Sequence, residues 1–304
     1  MTPLIHDDVL LLGIDGGGTR CRARLTDWQG RILGQATAGP ANIRYGLQES
    51  LAAVIAVTRQ CLNEAALPEV HERIVACLAL AGACEPATLL RAQAVRLPFG
   101  RAHFTSDARA ACTGAHGGQD GAIVIVGTGS IGWGMVAARE VRAGGWGFPL
   151  SDAGSGAWLG SNALAQVLHA YDGLRPWTDF LRALFQRFEV DTYAIVRWMR
   201  TAKPRDYAAI APLIASHAEQ GDAAALELMR SAAFYIDALA VRMLQFGAPR
   251  LSLLGGFSDS IKPYLPEHTR QQLISPMGDA LSGALAIART EAHCLFSGAL
   301  PTHG

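Results

Sequence analysis

The hydrophobic pattern opens with an apolar run, Val9 to Ile14, that leads directly into a polar, glycine-rich turn, Asp15 to Thr19. After this turn, arginine occupies every second position from 20 to 24, and small or apolar residues lie between. A period of two is typical of a strand with one buried face. A second turn follows at Asp27 to Gly30, and Arg31 to Ala36 has the composition of a third strand. The pattern therefore predicts an antiparallel meander whose glycine-rich turn joins two strands rather than a strand and a helix.

The same order of elements returns further along the chain. Apolar residues first recur at helical spacing from Leu47 to Leu62, and short apolar strands are predicted at Ile74 to Leu80 and Ala102 to Thr105. Ala122 to Val126 is then an apolar strand that ends in the turn Gly127 to Ser130, and two more strands follow. Strand, glycine-rich turn, strand, turn and strand thus occur twice, which indicates a duplicated fold with a cleft between its halves.

The second half is mainly helical. Helix is predicted from Tyr171 to Phe246, with one long stretch from Ala223 to Gln245. A strand at Arg250 to Leu254 leads into a third glycine turn, and a helix from Asp279 to Leu295 closes the pattern. We predict an α/β protein of two domains, residues 1–119 and 120–304, with a helical insertion at about 171–246 of the second.

Composition narrows the class of protein. Half of the 304 residues are apolar and the formal net charge is zero, so a sizeable core is expected and nucleic acid is not. No apolar run reaches the roughly 18 residues that span a bilayer, so we expect no membrane partner. Acidic Asp7 and Asp8 argue against a secretory signal. The six cysteines show no paired spacing, which predicts reduced core thiols in a cytoplasmic protein.

Three glycine turns, each directly after an apolar strand, are candidates for nucleotide contact. Glycine lets backbone N–H groups approach phosphate oxygens closely, and threonine adds a hydroxyl donor. The carboxylate of Asp15 is expected to hold Mg²⁺ near the phosphates, through water. A single turn of this kind is more often only a tight turn, and the case depends on the occurrence of all three. The candidate residues are Gly16, Gly17, Gly18, Thr19, Gly127, Thr128, Gly129, Ser130, Gly255 and Gly256.

Two other phosphate motifs are excluded. The chain has no G-x-x-x-x-G-K-[ST], and its only lysines are Lys203 and Lys262. The glycines at 16 to 18 do not form a G-x-G-x-x-G ahead of a helix, so a dinucleotide site is not expected.

The three turns together resemble those of the superfamily of actin, heat-shock-protein ATPases and sugar kinases. Further segments resemble BadF/BadG-type ATPases, and among these the N-acetylglucosamine kinases and bacterial glucosamine kinases. These segments are Gly39-Pro40-Ala41-Asn42, Thr105-Ser106-Asp107-Ala108, Gly144-Gly145-Trp146-Gly147 and Ser151-Asp152-Ala153-Gly154-Ser155-Gly156. The resemblance implies two ribonuclease H-like domains, as in actin-like ATPases, with the active site between them.

The resemblance also implies roles for individual residues. Asp107 matches the catalytic base, and Asn42 and Asp152 match residues that hydrogen-bond sugar hydroxyls. The wall of the sugar site is matched by Gly145, Trp146 and Gly147. Thr19 and Thr128 match phosphate contacts, and Gly255 and Gly256 match a loop beside the adenosine.

Each of these side chains also has a structural alternative. Asp107 begins a predicted helix and could be its N-cap, and Asp152 could cap the helix near Ser155. Trp146 could be the buried anchor of a hinge. In the animal N-acetylglucosamine kinases an aromatic residue closely follows the matching asparagine, whereas Ile43, Arg44 and Tyr45 follow here. This departure leaves free glucosamine almost level with N-acetylglucosamine as the expected substrate.

The expected reaction transfers the γ-phosphoryl group of ATP, with Mg²⁺, to the 6-hydroxyl of an amino sugar. The expected partner is a small sugar, and a homodimer is compatible with the sequence. One alternative is an activator ATPase that couples hydrolysis to electron transfer. It needs cluster-binding cysteines, and Cys112 has no partner nearby in the sequence. A non-catalytic sugar sensor is a second alternative, for which we would expect a DNA-binding segment ahead of the first strand. A zinc-dependent kinase of the ROK family is a third, but its cysteine cluster is missing and no structural zinc is expected.

Overall fold

The computed structural model describes residues 8–44 and 46–297 of the chain. Residues 1–7, on which the absence of a secretory signal was argued, and Tyr45 lie outside the described residues. The chain divides into two compact units, of which unit 1 holds residues 1–120 and 276–304 and unit 2 holds residues 121–275. The division near residue 120 agrees with the sequence, but the prediction that 120–304 forms one domain does not, because the C-terminal segment belongs to unit 1.

The sheet of unit 1 has the strand order β3-β2-β1-β4-β5. Its strands are β1 (Leu10–Gly16), β2 (Cys21–Thr26), β3 (Ile32–Ala38), β4 (Ile74–Leu80) and β5 (Arg101–Thr105). The predicted meander is confirmed, because β1, β2 and β3 pair antiparallel. β4 and β5 run parallel to β1, so these three strands end at the same edge of the sheet.

Helices cover both faces of this sheet. The described helices of unit 1 are α1 (Leu47–Glu64), α2 (Pro86–Gln93), α3 (Asp107–His116) and α12 (Ala280–Ser297), with a short 3₁₀ turn at His71–Arg73. α1 packs on one face through an apolar stripe that includes Val54 and Cys61. α12 packs on the other face through Ala284, Ala288 and Ala292, whose spacing of four residues aligns them along one side of the helix. These small side chains allow close packing against β1 and β4, which is why the C-terminal helix belongs to unit 1.

Unit 2 repeats the plan of the first sheet. Its strands are β6 (Gly121–Val126), β7 (Ser130–Val136), β8 (Arg139–Gly144) and β9 (Leu251–Leu254). The strand order is β8-β7-β6-β9, in which β6, β7 and β8 form an antiparallel meander and β9 runs parallel to β6. The repeat of the first four strands of unit 1 is therefore confirmed.

The helical stretch predicted between residues 171 and 246 is present and belongs to unit 2. The helices of this unit are α4 (Gly156–Tyr171), α5 (Asp179–Gln186), α6 (Thr192–Met199), α7 (Pro204–Ala208), α8 (Ala211–Glu219), α9 (Ala223–Gln245), α10 (Ser258–Ile261) and α11 (Glu267–Arg270), and a 3₁₀ turn lies at Lys262–Tyr264. The bounds of α9 are those predicted. Fully buried Phe180 and Leu184 of α5 join the core that α4, α8 and α9 form with the sheet.

Two further expectations concern the surface and the thiols. None of the helices in the described ranges combines the length and the apolar character needed to cross a membrane. The six cysteines are free thiols, and four of them are buried. Burial raises the pKa of Cys21 and of Cys61 to about 12, so these thiols remain protonated at neutral pH.

Candidate functional site

The first glycine turn lies at the carboxyl end of β1, and its glycines have different reasons to be there. The N–H of Gly17 donates to the carbonyl oxygen of Arg20 over 2.9 Å and closes the turn. A Cβ on Gly16 would lie 2.5 Å from Leu80 Cδ2 and 2.9 Å from Ala41 Cβ, so packing requires glycine there. Neither packing nor a left-handed φ requires glycine at Gly18, where a Cβ would meet no atom within 4 Å.

This turn presents backbone hydrogen-bond donors to solvent. Gly18 and Thr19 are exposed, and their backbone N–H groups have no acceptor within residues 8–44 and 46–297. Because a glycine without Cβ lets a ligand approach such donors, the geometry suits an anion with several oxygens.

The Asp15 carboxylate at the start of the turn is held by a cross-strand arginine. Asp15 and Arg22 face each other in the β1–β2 register, and Arg22 donates through Nε (3.1 Å) and Nη2 (2.6 Å) to Oδ2 of Asp15. The Asp15 side chain is only 19% exposed. No described residue donates to its Oδ1. The pair leaves one hard oxygen at the turn, as a water-mediated magnesium contact requires.

Arg22 also reaches the start of α12. Its Nη1 lies 3.9 Å from Oδ2 of Asp279, whose other oxygen accepts from the backbone N–H and the hydroxyl of Ser282. Burial alone would raise the pKa of Asp279, but the hydrogen bonds from Ser282 and the charges of Arg24 and Arg22 lower it. Two arginines and two carboxylates thus form a charge network directly behind the first turn.

Asn42 is fixed beside the same turn by its neighbours in the chain. The N–H of Ala41 donates to the carbonyl of Gly17 (3.0 Å), and the N–H of Ile43 donates to the carbonyl of Ala81 (3.0 Å). Asn42 itself forms a single bridge to Ala81, the residue after β4. Its Oδ1 accepts from the N–H of Arg44 at 3.1 Å, which orients the amide. Unit 1 therefore places Asn42 next to the glycine turn, at the carboxyl edge of the sheet.

Asp107 follows β5 at the same edge, and it is not the cap of its helix. The N-cap of α3 is Ser106, whose hydroxyl accepts from the N–H of Arg109 at 3.0 Å. Asp107 is the first residue of the helix, and its Oδ1 accepts from the adjacent N–H of Ala108 at 2.9 Å. The capping alternative is thus wrong for Asp107, whose side chain is half-buried.

The second glycine turn, in unit 2, is anchored through its carbonyl groups. The carbonyls of Gly127 and Thr128 accept from the N–H groups of Gly156 (2.8 Å) and Ala157 (3.2 Å) at the start of α4. A Cβ on Gly127 would meet nothing within 4 Å. Because its carbonyls face α4, the exposed Thr128 can present its hydroxyl and N–H to a ligand. Ser130 is different: it is 3% exposed and its hydroxyl donates to the carbonyl of Ala153 (2.8 Å).

The third glycine turn lies beside the second. The N–H of Phe257 donates to the carbonyl of Val126 (3.0 Å), which joins the end of β9 to the end of β6. Gly255 has a φ of +101° and packs against the Val126 backbone, so the fold requires this glycine. Gly256 is exposed and a Cβ there would have open space. Of the two predicted residues, Gly256 is therefore the one where a ligand could approach the backbone from solvent.

The segment after β8 presents an exposed indole. Trp146 is 69% exposed, which excludes the buried hinge anchor that the sequence allowed. Gly145 and Gly147 on either side have φ of +67° and +111°. The guanidinium of Arg142 lies over the indole, 4.0 Å from its centroid.

Asp152 lies between the exposed indole segment and the second glycine turn. Its Oδ1 accepts from the N–H of Gly147 at 3.3 Å, and a Cβ on Gly129 would lie 2.6 Å from its Oδ2. The N-cap of α4 is Ser155, whose hydroxyl accepts from the N–H of Trp158 at 3.2 Å, so the capping alternative is wrong here as well. Unit 2 therefore brings the segment around Trp146, Asp152 and the second turn into one cluster.

Two arginines of the site escaped the sequence analysis. Arg22 was treated only as part of an exposed strand face, although Asp15 and Arg22 are equidistant from the centre of the turn and so must pair across the hairpin. Arg142 gives no comparable signal, because its contacts depend on the turn after β8.

The described residues form a two-unit α/β protein in which a glycine-rich hairpin turn follows the first strand of each unit. The model of the BadF/BadG/BcrA/BcrD ATPase family matches residues 12–288. The chain belongs to that ATPase family, and its fold is that of actin-like ATPases, with two ribonuclease H-like domains.

Individual relatives are similar over almost their whole length. A glucosamine kinase from Vibrio cholerae is 38% identical over 290 residues, which cover 95% of this chain and 99% of the relative. An N-acetylmuramic acid/N-acetylglucosamine kinase from Clostridium acetobutylicum is 27% identical and covers 92% of this chain and 98% of its own. The crystal structure of a proposed N-acetylglucosamine kinase from Chromobacterium violaceum is 33% identical, with a TM-score of 0.87, and covers 92% of this chain and 99% of its own.

Proposed function

We propose that this protein is an ATP-dependent kinase that phosphorylates the 6-hydroxyl of an amino sugar. The observation that carries the proposal is the similarity, over 95% of the chain, to a glucosamine kinase. The geometry of the turns supports it, because Gly18, Gly127 and Gly256 are glycines that the fold itself does not require.

The three turns are proposed to bind the nucleotide. Gly16 to Thr19 and Gly127 to Ser130 would contact the phosphates, the former through the donors of Gly18 and Thr19 and the latter through Thr128. Gly255 and Gly256 would lie beside the adenosine. Phosphoryl transfer leaves little covalent chemistry for a protein, so the proposed role of these donors is to position the phosphates and to stabilise their charge.

Asp15 is proposed to hold Mg²⁺ through water. The free Oδ1 of its carboxylate fits this role, and the ion pair of Oδ2 with Arg22 argues against direct coordination by both oxygens. When bound, Mg²⁺ would neutralise negative charge on the β- and γ-phosphates.

Asp107 is the proposed general base, and Asn42 and Asp152 are proposed to bind sugar hydroxyls. A sugar hydroxyl is a poor nucleophile while it keeps its proton, so a carboxylate within hydrogen-bond distance accelerates its attack. Ser106 rather than Asp107 is the N-cap of α3, so the proposed role of Asp107 does not compete with capping. The proton of the 6-hydroxyl would pass to Asp107 as the oxygen bonds to the γ-phosphorus.

Free glucosamine is the first substrate that we propose, and N-acetylglucosamine is the second. The sequence alone ranks N-acetylglucosamine slightly first. The relative at 38% identity is named a glucosamine kinase, whereas the one at 27% is named for N-acetylated sugars, and this difference reverses the order.

The activator ATPase receives no support from the position of its candidate thiol. Cys112 of α3 is 1% exposed, so it is not available at a surface where two copies of a chain could share a cluster. Only a measurement of catalytic turnover distinguishes a non-catalytic sugar sensor from a sugar kinase.

The decisive experiment is a coupled ADP-release assay with glucosamine, N-acetylglucosamine, glucose and N-acetylmannosamine. We expect the highest kcat/KM for one of the first two sugars, and phosphorus and carbon NMR of the product should place the phosphate on oxygen 6. Asp107→Asn serves as the inactive control. A preference for glucose, or ADP release that does not depend on any sugar, would contradict the proposal.

A further inference from the structure

The exposed Trp146 is positioned by its backbone and one neighbouring side chain rather than by burial. Three of the four residues from 144 to 147 have a left-handed φ, which is +70° at Gly144, +67° at Gly145 and +111° at Gly147. The N–H of Trp146 donates to the hydroxyl of Ser151 at 3.3 Å. An indole that is 69% exposed gains little from packing, so its position depends on this backbone and on one neighbouring side chain.

That neighbour is Arg142, whose side chain contacts this segment in three places. Its Nε donates to the carbonyl of Gly144 at 3.1 Å, and its Nη2 donates to the carbonyl of Gly145. Its guanidinium carbon lies 4.0 Å from the centroid of the Trp146 ring, a cation–π distance. Across the described ranges, no carboxylate forms an ion pair with Arg142. The planar guanidinium of Arg142 therefore binds two backbone carbonyl groups and covers one face of the indole.

We infer that Arg142 is a positioning residue for the sugar, which fixes the Gly144–Gly147 backbone and covers one face of Trp146 so that the opposite face receives the sugar ring. The carbon-bound hydrogens of a pyranose form an apolar face that packs on an aromatic ring, while its hydroxyls need hydrogen-bond partners. Asp152 supplies such an acceptor on the same segment, because Gly147 holds its carboxylate at 3.3 Å. This inference rests on the proposed function.

A positioning role differs from a general structural role in what it predicts. A segment that is already ordered in the bound conformation saves the ligand the cost of ordering it. Loss of Arg142 should therefore weaken sugar binding and leave nucleotide binding almost unchanged. A residue that only stabilised the fold would change the melting temperature and affect both substrates together.

The chain offers a matched control in the same strand. Arg139 lies three residues before Arg142 in β8, and its guanidinium carbon is 5.6 Å from the centroid of the Phe246 ring. Its guanidinium thus also lies over an aromatic ring, but that ring is outside the Gly144–Gly147 segment. Arg139→Gln thus removes a comparable contact from the same strand.

The test measures steady-state kinetics of Arg142→Gln, Arg142→Lys and Arg139→Gln in the full-length protein. We expect the KM for the sugar to rise about tenfold in Arg142→Gln, the equivalent of roughly 1.4 kcal/mol. The KM for ATP should change less than about twofold. Arg142→Lys should fall between, because lysine keeps the charge over the indole but cannot donate to both carbonyls. Arg139→Gln should resemble the wild type.

A double-mutant cycle tests whether Arg142 acts through Trp146. Trp146→Ala combined with Arg142→Gln should raise the sugar KM no further than Trp146→Ala alone, within about twofold. Additive effects would overturn the inference, as would an unchanged sugar KM in Arg142→Gln. Fluorescence of the ligand-free protein gives an independent readout, in which the Trp146 contribution, obtained by subtracting Trp146→Phe, should shift in Arg142→Gln and not in Arg139→Gln.

Failure of the inference can be told from failure of the proposed function. A wild-type protein that phosphorylates no amino sugar refutes the function, and the inference with it. A wild type that does so, with an Arg142→Gln variant of unchanged sugar KM, refutes only the role of Arg142.

Discussion

Replacing Gly18 with alanine separates a glycine kept for a ligand from one kept for the fold. The added methyl group at Gly18 would meet no atom within 4 Å, and the residue has no left-handed φ. Alanine at a compatible position stabilises a protein by about 0.4–1 kcal/mol, because the unfolded chain loses conformational freedom. We therefore expect the melting temperature of Gly18→Ala to be unchanged or raised by roughly 1–4 °C.

The effect on ATP should have the opposite sign. If the backbone N–H groups of Gly18 and Thr19 contact phosphate, a methyl group in the approach path removes at least one hydrogen bond to a charged group. Such a bond contributes about 1.5–3 kcal/mol, so the KM for ATP should rise roughly 10- to 100-fold while the KM for the sugar stays near its wild-type value. Calorimetric titration with a non-hydrolysable ATP analogue checks the binding directly.

Gly16→Ala is the contrasting variant. Its methyl group would lie 2.5 Å from Leu80 Cδ2 and 2.9 Å from Ala41 Cβ, so the core beside the turn must shift. Overpacking of this kind costs about 1–3 kcal/mol, and thermal unfolding should show it. The reasoning is refuted if Gly18→Ala binds and uses ATP like the wild type, or if it unfolds as easily as Gly16→Ala.

Three other variants probe single contacts. Asp107→Asn should lower kcat by about 10²–10⁴-fold with little change in melting temperature, since the serine cap of α3 remains; a destabilised variant with near-normal turnover would make this residue structural. Gly129→Ala should raise the KM for the sugar, because the added Cβ would lie 2.6 Å from Oδ2 of Asp152 and displace that carboxylate. An unchanged sugar KM would exclude Asp152 as a sugar ligand. Burial alone would raise the pKa of Asp222, but backbone N–H groups at the starts of α5 and α9 and a threonine hydroxyl lower it below the ordinary value of 3.8. The stability advantage of wild type over Asp222→Asn should accordingly be complete above pH 3.8. It should disappear as the pH falls through the lowered pKa of Asp222 in the folded state, and urea unfolding at several pH values would measure this loss.

The meanders were predictable because their signal is local. The alternation after the first turn fixes which face of β2 is buried, and a turn with strands on both sides dictates antiparallel pairing. The bounds of α9 were predictable for a similar reason, since Asp222 is a good N-cap ahead of a long helical pattern. The assignment of α12 was not, because an apolar stripe shows that a helix packs against a sheet but does not show which sheet.

The identity of the candidate site residues was easier to predict from the sequence than their surroundings. Sequence alone could not decide between Ser106 and Asp107 as the cap of α3, since both residue types cap helices well. The exposure of Trp146 was equally hidden, because it follows from three left-handed glycines whose φ values no pattern reveals. Gly255 and Gly256 look identical in the sequence, yet only Gly255 is required by the backbone of Val126.

The two candidate acids, Asp107 in unit 1 and Asp152 in unit 2, both lie close to a helix N-cap without being the cap. Each lies next to a helix whose N-cap is a serine, Ser106 for Asp107 and Ser155 for Asp152. Aspartate caps helices at least as well as serine, so a carboxylate selected only for helix stability would occupy the cap. Asp152 moreover has a φ of +63°, a conformation that costs a non-glycine residue of order 1 kcal/mol and persists only where something else fixes it. Asp152 is therefore held beside its helix at some expense of local stability, as a residue that binds a hydroxyl would be, whereas Asp107 in the first turn of α3 also interacts favourably with the helix dipole.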